Sequence, residues 1–431
     1  MHKETTKVAI ITSNYWPEKT GIGQVTTEFA EFLQSKGVSV SVATATPYYP
    51  EWRVADEYRG KLWQTEKHNG VVVHRAAHYA APDPGTISRL SHELTLCVFS
   101  IPNMVRALRH SREAFIVSPD LSHAFVGSVV ARLLRKPISV IVQDVMPDAA
   151  IEMGMLRNPV LVAMSRWIAR RLYTSACRIF TLSASMKTRL ERVGVSGEKV
   201  AILPNTIDEG EFADRPGLGL PFRQRFVPRG TCAVIHAGNM GQKQDLPLLL
   251  RVARRLRDNE VIHFYVFGDG AAKPAFLRRR EEWDLRNVSH FPLQERQLLP
   301  HMLHGADVCL ISQVREVVDT VVPSKLITAM AAGAMIIAAC DSNSETAKLL
   351  RESGGGLIVP ASDDAALAAA IEKVRKHEVD INLHRTSVRE YAMRAFSRES
   401  VYSPILRLLA PKFGASGNPS RQESQSVEAK A

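Results

Sequence analysis

The sequence predicts an α/β protein made of two doubly wound, Rossmann-like domains. Three observations lead there. Short β-branched runs alternate with helical patterns through the first half, the same alternation returns in the second half, and a stretch crowded with Pro and Gly, from Asn205 to Pro228, lies between them. Strict alternation of strand and helix argues for parallel sheets with helices on both faces. A chain of 431 residues suits roughly two to three domains.

Strand-like runs fall at Val8 to Ser13, Val38 to Ala45, Val71 to Arg75, Phe115 to Val117, Ile138 to Gln143 and Arg178 to Leu182. In the second half they fall at Cys232 to Ala237, Ile262 to Phe267, Val308 to Ser312, Met335 to Ala339 and Gly356 to Val359. Two of the intervening helical stretches are basic. Ser88 to Arg112 carries Leu90, Leu94, Val98, Ile101, Val105 and Leu108 at helical spacing beside Arg89, Arg106, Arg109 and Arg112, with Pro102 expected to break it. Between Glu152 and Glu191 no carboxylate occurs, whereas Arg157, Arg166, Arg170, Arg171, Arg178, Lys187 and Arg189 do, with Leu161, Met164, Ile168 and Leu172 forming an apolar stripe. Such helices either pack on a sheet with solvated basic faces or lie on anionic lipid. Tyr391 to Leu409 reads as a helix broken near Pro404, and Gly414 to Ala431 has almost nothing to bury and is expected to be disordered.

Composition narrows the function. A formal net charge of +11 implies an anionic partner: nucleic acid, a membrane surface or a phosphorylated substrate. No run approaches the ~20 apolar residues that span a bilayer, and Met1 to Lys7 is polar, so a cytoplasmic protein is expected. Five scattered cysteines in apolar stretches suit reduced, buried thiols, and no metal site is expected.

The most informative segment is His236-Ala237-Gly238-Asn239-Met240-Gly241-Gln242-Lys243-Gln244, which follows a strand and precedes a helix. Glycines there let backbone approach an anion, and the amides of a helix start point at it. A second such turn, Gly268-Asp269-Gly270, ends the next strand, so a nucleotide-type ligand is expected. In the first half Gly21-Ile22-Gly23 holds the equivalent place. It lacks the third glycine of a dinucleotide fingerprint, where Thr26 stands, so it is either a phosphate or sugar loop or a tight structural turn.

These residues resemble a known family. Tyr15-Trp16-Pro17-Glu18 with Gly21-Ile22-Gly23, Pro47-Tyr48-Tyr49-Pro50-Glu51-Trp52, Gln143-Asp144-Val145-Met146-Pro147-Asp148 and Leu203-Pro204-Asn205 carry the resemblance in the first half. Gly238 to Gln244, Gly268-Asp269-Gly270, Pro323-Ser324-Lys325 and Ala331-Ala332-Gly333 carry it in the second. The chain is similar to retaining glycosyltransferases of family four with the GT-B fold, and more narrowly to the bacterial exopolysaccharide and O-antigen branch of the colanic-acid type.

The resemblance implies a GT-B architecture, with two lobes facing across a cleft. Residues 1–205 would form an acceptor-binding domain, 206–390 a nucleotide-sugar-binding domain, 391–413 a helix crossing back to the first domain, and 414–431 a tail. It implies transfer of a sugar from a UDP- or GDP-sugar to a saccharide on a polyprenyl diphosphate, at the inner membrane face, with an anionic membrane surface as partner. Neither nucleic acid, metal nor cofactor is implied. Lys243 matches the phosphate-facing lysine, and Gly238, Gly241, Gly268, Asp269, Gly270, Ser324 and Lys325 belong to the donor side. Asn239 stands where many relatives carry arginine, leaving Lys325 to compensate or the diphosphate to be held more weakly. The family's glutamate pair is replaced by Thr320 and Thr328, with Glu345 or Asp319 as candidate substitutes. Asp144 or His123 would orient the acceptor hydroxyl or take its proton, and Tyr48, Tyr49 and Trp52 offer flat faces to a sugar or pack within their own loop. Two other readings remain: a nucleotide-sugar epimerase of GT-B architecture, and a non-catalytic subunit of a polysaccharide assembly complex.

Overall fold

The computed structural model describes residues 6–18, 21–49, 51–82, 86–118, 120–148, 151, 158–213, 217–241, 243–315 and 324–409. The chain packs into two compact units. One comprises Met1–Phe115, Val129–Pro137 and the chain from Tyr402 onward; the other comprises Ile116–Ser128 and Ile138–Val401.

Residues 7–202 supply the first sheet. Its elements are β1 (Lys7–Ile11), α1 (Gly21–Ser35), β2 (Ser39–Ala45), β3 (Trp63–His68), β4 (Val71–Ala76), α2 (Thr86–Arg109), β5 (Glu113–Ser118), α3 (Leu121–Leu133) and β6 (Ile138–Val142). There follow α4 (Pro159–Ser175), β7 (Arg178–Thr181), α5 (Ala184–Arg192) and β8 (Val200–Ile202). The strand order is β3-β4-β2-β1-β5-β6-β7-β8. β2 is parallel to β1 and β4, but β3 runs antiparallel to β4, so the expectation of a wholly parallel sheet is corrected at this edge. A two-residue connection, Asn69-Gly70, leaves room only for a hairpin.

The second sheet follows from α6 (Leu220–Phe226) and contains β9 (Cys232–Ala237), α7 (Leu246–Arg255), β10 (Ile262–Phe267), α8 (Lys273–Glu282), β11 (Val288–Phe291), α9 (Leu299–Gly305) and β12 (Val308–Ser312). It continues with α10 (Ser324–Ala331), β13 (Ile336–Cys340), α11 (Glu345–Ser353), β14 (Leu357–Pro360), α12 (Asp364–Arg375), α13 (Ile381–Phe396) and α14 (Arg398–Leu409). The order β11-β10-β9-β12-β13-β14 is parallel throughout. Alternate residues of β9 enter different cores. Ala233 and Ile235 pack with Phe222, Met302 and Leu326, whereas Val234 packs with Leu248, Phe264 and Ile371. Both faces are therefore covered, which is why the strands read as continuous apolar runs. Side-chain caps start several helices: Asn158 accepts from Val160 and Leu161, Ser183 from Met186, and Asp245 from Leu248.

Several expectations are corrected. Pro102 does not break its helix: α2 runs through it, packed on the sheet, although the proline deprives the Val98 carbonyl of its usual donor. Pro404 likewise lies inside α14, and the interruption falls at Ser397, whose extended backbone ends α13. Of the cysteines, Cys232, Cys309 and Cys340 are buried, Cys177 is exposed and Cys97 half-buried; none is in a disulfide. α2 is inverted relative to an ordinary surface helix. His92, Ser100 and Asn103 turn inward with Leu96, Met104 and Leu108, while Leu90, Leu94, Val98, Ile101 and Val105 lie outside, Leu94 being 66% exposed. In α4, Leu172 is buried but Met164 is 52% exposed. Among the described residues no helix is long and apolar enough to cross a membrane. Arg157, Asp319, Thr320, Pro323 and the segment 414–431 lie outside the described residues.

Candidate functional site

In the second sheet the chain builds outward from β9 through β10 to β11, then returns to β12 and builds the other way. β9 and β12 are therefore neighbours whose following loops diverge, the place where open α/β sheets bind ligands. A hydrogen bond from Val314 N to Lys243 O (3.2 Å) links the two loops.

The glycines there are required by close packing. A Cβ on Gly268 would sit 1.9 Å from the Gly238 carbonyl oxygen, and one on Gly270 would meet Asn239 Oδ1 at 2.6 Å and Met240 O at 2.7 Å. Gly238 N donates to Phe267 O (2.9 Å), Met240 N to Asp269 O (2.8 Å), and His290 Nε2 to the Gly268 carbonyl (3.0 Å). The loops after β9 and β10 thus form one interlocked unit.

Lys325, in the first turn of α10, reaches toward this unit. Its Nζ donates to Gln244 Oε1 (2.8 Å) and lies 3.9 Å from where a Gly238 Cβ would stand. Burial among neighbouring atoms pushes its ammonium down to about 8. Lys243 is exposed in the loop two residues before Asp245, which caps α7. His236, at the end of β9, is wholly buried, and neither ring nitrogen makes a well-formed hydrogen bond, the nearest group being the Asn239 backbone. Burial first, and then the Lys325 charge, hold it well below the usual histidine range, against the Asn239 backbone, so it is neutral. Ser312 Oγ and Gln313 Oε1, at the end of β12, are also buried without partners. Orphaned buried polar groups are uncommon and call for a ligand or ordered water. These, with a cation and glycine-lined backbone, suit an anionic, hydroxyl-bearing ligand.

The other expected residues are placed as follows. Asp269 accepts from Gly270 N (2.8 Å) and from Lys273 Nζ (2.6 Å), and the Lys273 bond holds its carboxyl below the ordinary range. Thr328 Oγ1 donates back to the carbonyls of Ser324 and Lys325, a backbone-directed use of the hydroxyl. Ser324 opens α10 and is exposed. Glu345 is the first residue of α11, after the Ser344 cap, where a carboxylate favours the helix dipole. Asp144 follows β6; it touches solvent, yet the atoms crowding it push its carboxyl up, while the Lys243 charge pulls it down. His123 lies in the first turn of α3, excluded from solvent.

Gly21 and Gly23 belong to the first sheet. A Cβ on Gly23 would stand 2.9 Å from Glu18 Cβ. Glu18 is buried and accepts from Tyr48 N and Tyr49 N (both 2.9 Å) and from Asn14 Nδ2 (2.8 Å). Burial raises its pKa, and those bonds oppose the rise. Tyr48 is buried against Trp52, His78 and His92, whereas Tyr49 is exposed. Sequence reading placed Glu18, His236 and Gln244 inside motifs without giving them a role and missed Gln313, because their roles depend on loops distant in the chain. Among the described residues no cluster of His, Cys, Asp and Glu could hold a metal ion.

Family models match most of the chain: a glycosyl transferase 4-like domain over residues 20–206 and a glycosyl transferases group 1 domain over residues 231–377. WcaI of Escherichia coli (strain K12), a proposed colanic acid biosynthesis glycosyl transferase, is 30% identical over 406 residues, covering 92% of this chain and 97% of WcaI. Among solved structures, HepE of Anabaena in complex with UDP superimposes with a TM-score of 0.68 at 13% identity, covering 94% of this chain and 99% of HepE. Sucrose-phosphate synthase from Thermosynechococcus elongatus does so with 0.66 at 15% identity, covering 94% and 98%. At such identities the likeness is one of fold.

Proposed function

The chain belongs to the glycosyltransferases of the GT-B fold, group 1 and 4-like, and from that premise we propose that it moves a sugar from a nucleoside-diphosphate-sugar to a lipid-linked saccharide with retention. The pathway is exopolysaccharide synthesis of the colanic-acid type, as the name of its relative WcaI suggests. UDP-sugars are the first donors to try, since HepE has been solved with UDP and with UDP-glucose.

The observation that carries this reading is the junction of the loops after β9 and β12, where Lys325 Nζ reaches Gln244 beside Gly238 and where Ser312 and Gln313 carry buried polar atoms without partners. In the reaction the bond between the anomeric carbon and the phosphate oxygen breaks and a nucleoside diphosphate leaves. Fixed cations and amides aimed at that oxygen lower the barrier. Lys325 and Lys243 supply the charge, since the amides of Gly238, Met240, Gly268 and Gly270 are already bonded within the loops. The acceptor oxygen attacks from the departing side, so no protein nucleophile is required. Its proton passes to the leaving phosphate or to Asp144, which burial makes a stronger base than an ordinary carboxylate. Saturation-transfer NMR against UDP-, GDP- and dTDP-sugars tests the donor. Binding of one of them with transfer to a lipid-linked saccharide is expected. Donor epimerised without acceptor would make it an epimerase, and no binding would make it a non-catalytic subunit.

Association with an anionic membrane surface is part of this proposal, supported by the outward apolar stripe of α2 beside Arg106 and Arg109. Co-sedimentation with phosphatidylglycerol vesicles should fall at least fivefold in Leu94→Gln/Val98→Gln; equal co-sedimentation removes the membrane role of α2.

A further inference from the structure

A surface cavity of about 460 Å³ lies beside the loop that carries Asp144. Arg166 and Arg170 enter it from α4, Arg189 and Arg192 from α5, and Pro147 and Asp148 form part of its wall. Each pair sits at i,i+4 or i,i+3 on one helix face, the spacing at which like charges repel. The lining carries Arg166, Arg170 and Arg192 besides Arg189, against the one carboxylate of Asp148. Among the described residues Arg166, Arg170 and Arg192 form no ion pair. Arg171, on the same helix, does not line this cavity; its guanidinium lies over the Trp167 ring, 5.6 Å from the centroid. Guanidinium forks match phosphate oxygens in pairs, which makes arginine the natural residue for a phosphoryl group.

The cavity is tied to the reaction by the loop itself. Asp144 and Asp148 are four residues apart, so their Cα atoms are at most about 14 Å apart. Tyr173, fully buried in α4, lies near enough to feel both carboxylates. One end of the loop thus faces the charge of Lys243, and the other the arginines.

We propose that Arg166, Arg170, Arg189 and Arg192 form a site for the phosphoryl group of the acceptor, distinct from the donor pocket, which seats the acceptor so that its sugar reaches Asp144. This rests on the glycosyltransferase reading. The shared chemistry is a diphosphate; a free anion and a lipid headgroup are its two sources.

The test titrates inorganic pyrophosphate into protein saturated with UDP, by calorimetry, for wild type, Arg166→Gln/Arg170→Gln and Arg189→Gln/Arg192→Gln. Co-sedimentation with phosphatidylglycerol vesicles is measured in parallel. These arginines are at the surface, and a thermal melt confirms folding. Expected is one pyrophosphate bound by wild type and at least tenfold weaker binding in each variant, with UDP affinity unchanged. The proposal is overturned if UDP-saturated protein binds no pyrophosphate, if both variants bind it as wild type does, or if they lose only vesicle binding. Should UDP itself fail to bind, the donor reading falls, and the arginine dependence of pyrophosphate binding still decides for or against this site.

Discussion

Two loops of this chain look alike in sequence and are filled differently. Gly21-Ile22-Gly23 after β1 and Gly238 to Gly241 after β9 each join a strand to a helix through glycines. In the first, the space left by Gly23 is taken by Glu18, whose carboxylate ties the loop after β2 to the loop after β1. In the second, backbone packs on backbone at Gly268, and the wall beyond Gly238 is Lys325, with unpartnered polar atoms beside it. Glycine therefore marks where something comes close. What comes close is decided by another loop: an acid in one region, a cation in the other.

The contrast can be broken most forcefully at Gly268. Gly268→Ala sets a methyl against the Gly238 carbonyl, and should cost about 3 kcal/mol of stability, the upper end for overpacking, and abolish UDP binding. A thermal melt and a UDP titration check this; a wild-type melt would mean the two loops are not interlocked. Next is Lys243→Ala, which should lower turnover by about two to three orders of magnitude, the scale of losing one charge-stabilising donor, without lowering the melting temperature, because the side chain is exposed. Wild-type turnover would remove Lys243 from the chemistry.

A smaller effect separates the two lysines. Lys325 titrates near 8, and UDP needs its protonated form, so wild-type affinity should fall by up to tenfold per pH unit above about 8. In Lys325→Met, affinity should be about tenfold lower at pH 7 and flat between pH 7 and 9; an identical slope in both proteins would assign the titration to another group. The smallest effect belongs to the first loop. Glu18 holds its proton more tightly folded than unfolded, so its contribution to stability declines as pH rises from its ordinary value, 4.5, through the raised folded value. Glu18→Gln should gain melting temperature relative to wild type across that window; a constant difference would show that its hydrogen bonds fully offset burial.

Much of the fold was legible because most strands are buried on both faces. The eleven expected strands all form, with small shifts at their ends, such as β1 stopping at Ile11 and β13 starting at Ile336. The three that sequence reading missed, β3, β8 and β11, are all sheet edges. Trp63-Gln64-Thr65-Glu66-Lys67-His68 is polar and partly exposed along its length, so it shows no apolar run. Helical periodicity identified which residues of α2 share a face but not that the apolar face would be outside, since that depends on what the sheet accepts. The glycine loops could be found from spacing alone. His236, Gln313, Glu18 and the four-arginine cavity could not, because each is defined by chain segments that only tertiary structure brings together.

On the proposed function, a diphosphate sits between the loops of β9 and β12. Calorimetric titration of UDP into wild type, Lys325→Met and Gly268→Ala at pH 7 tests it most directly. One UDP per wild-type chain, about tenfold weaker binding in Lys325→Met and none in Gly268→Ala is the predicted result. Undiminished UDP binding in both variants would place the nucleotide elsewhere and contradict the account.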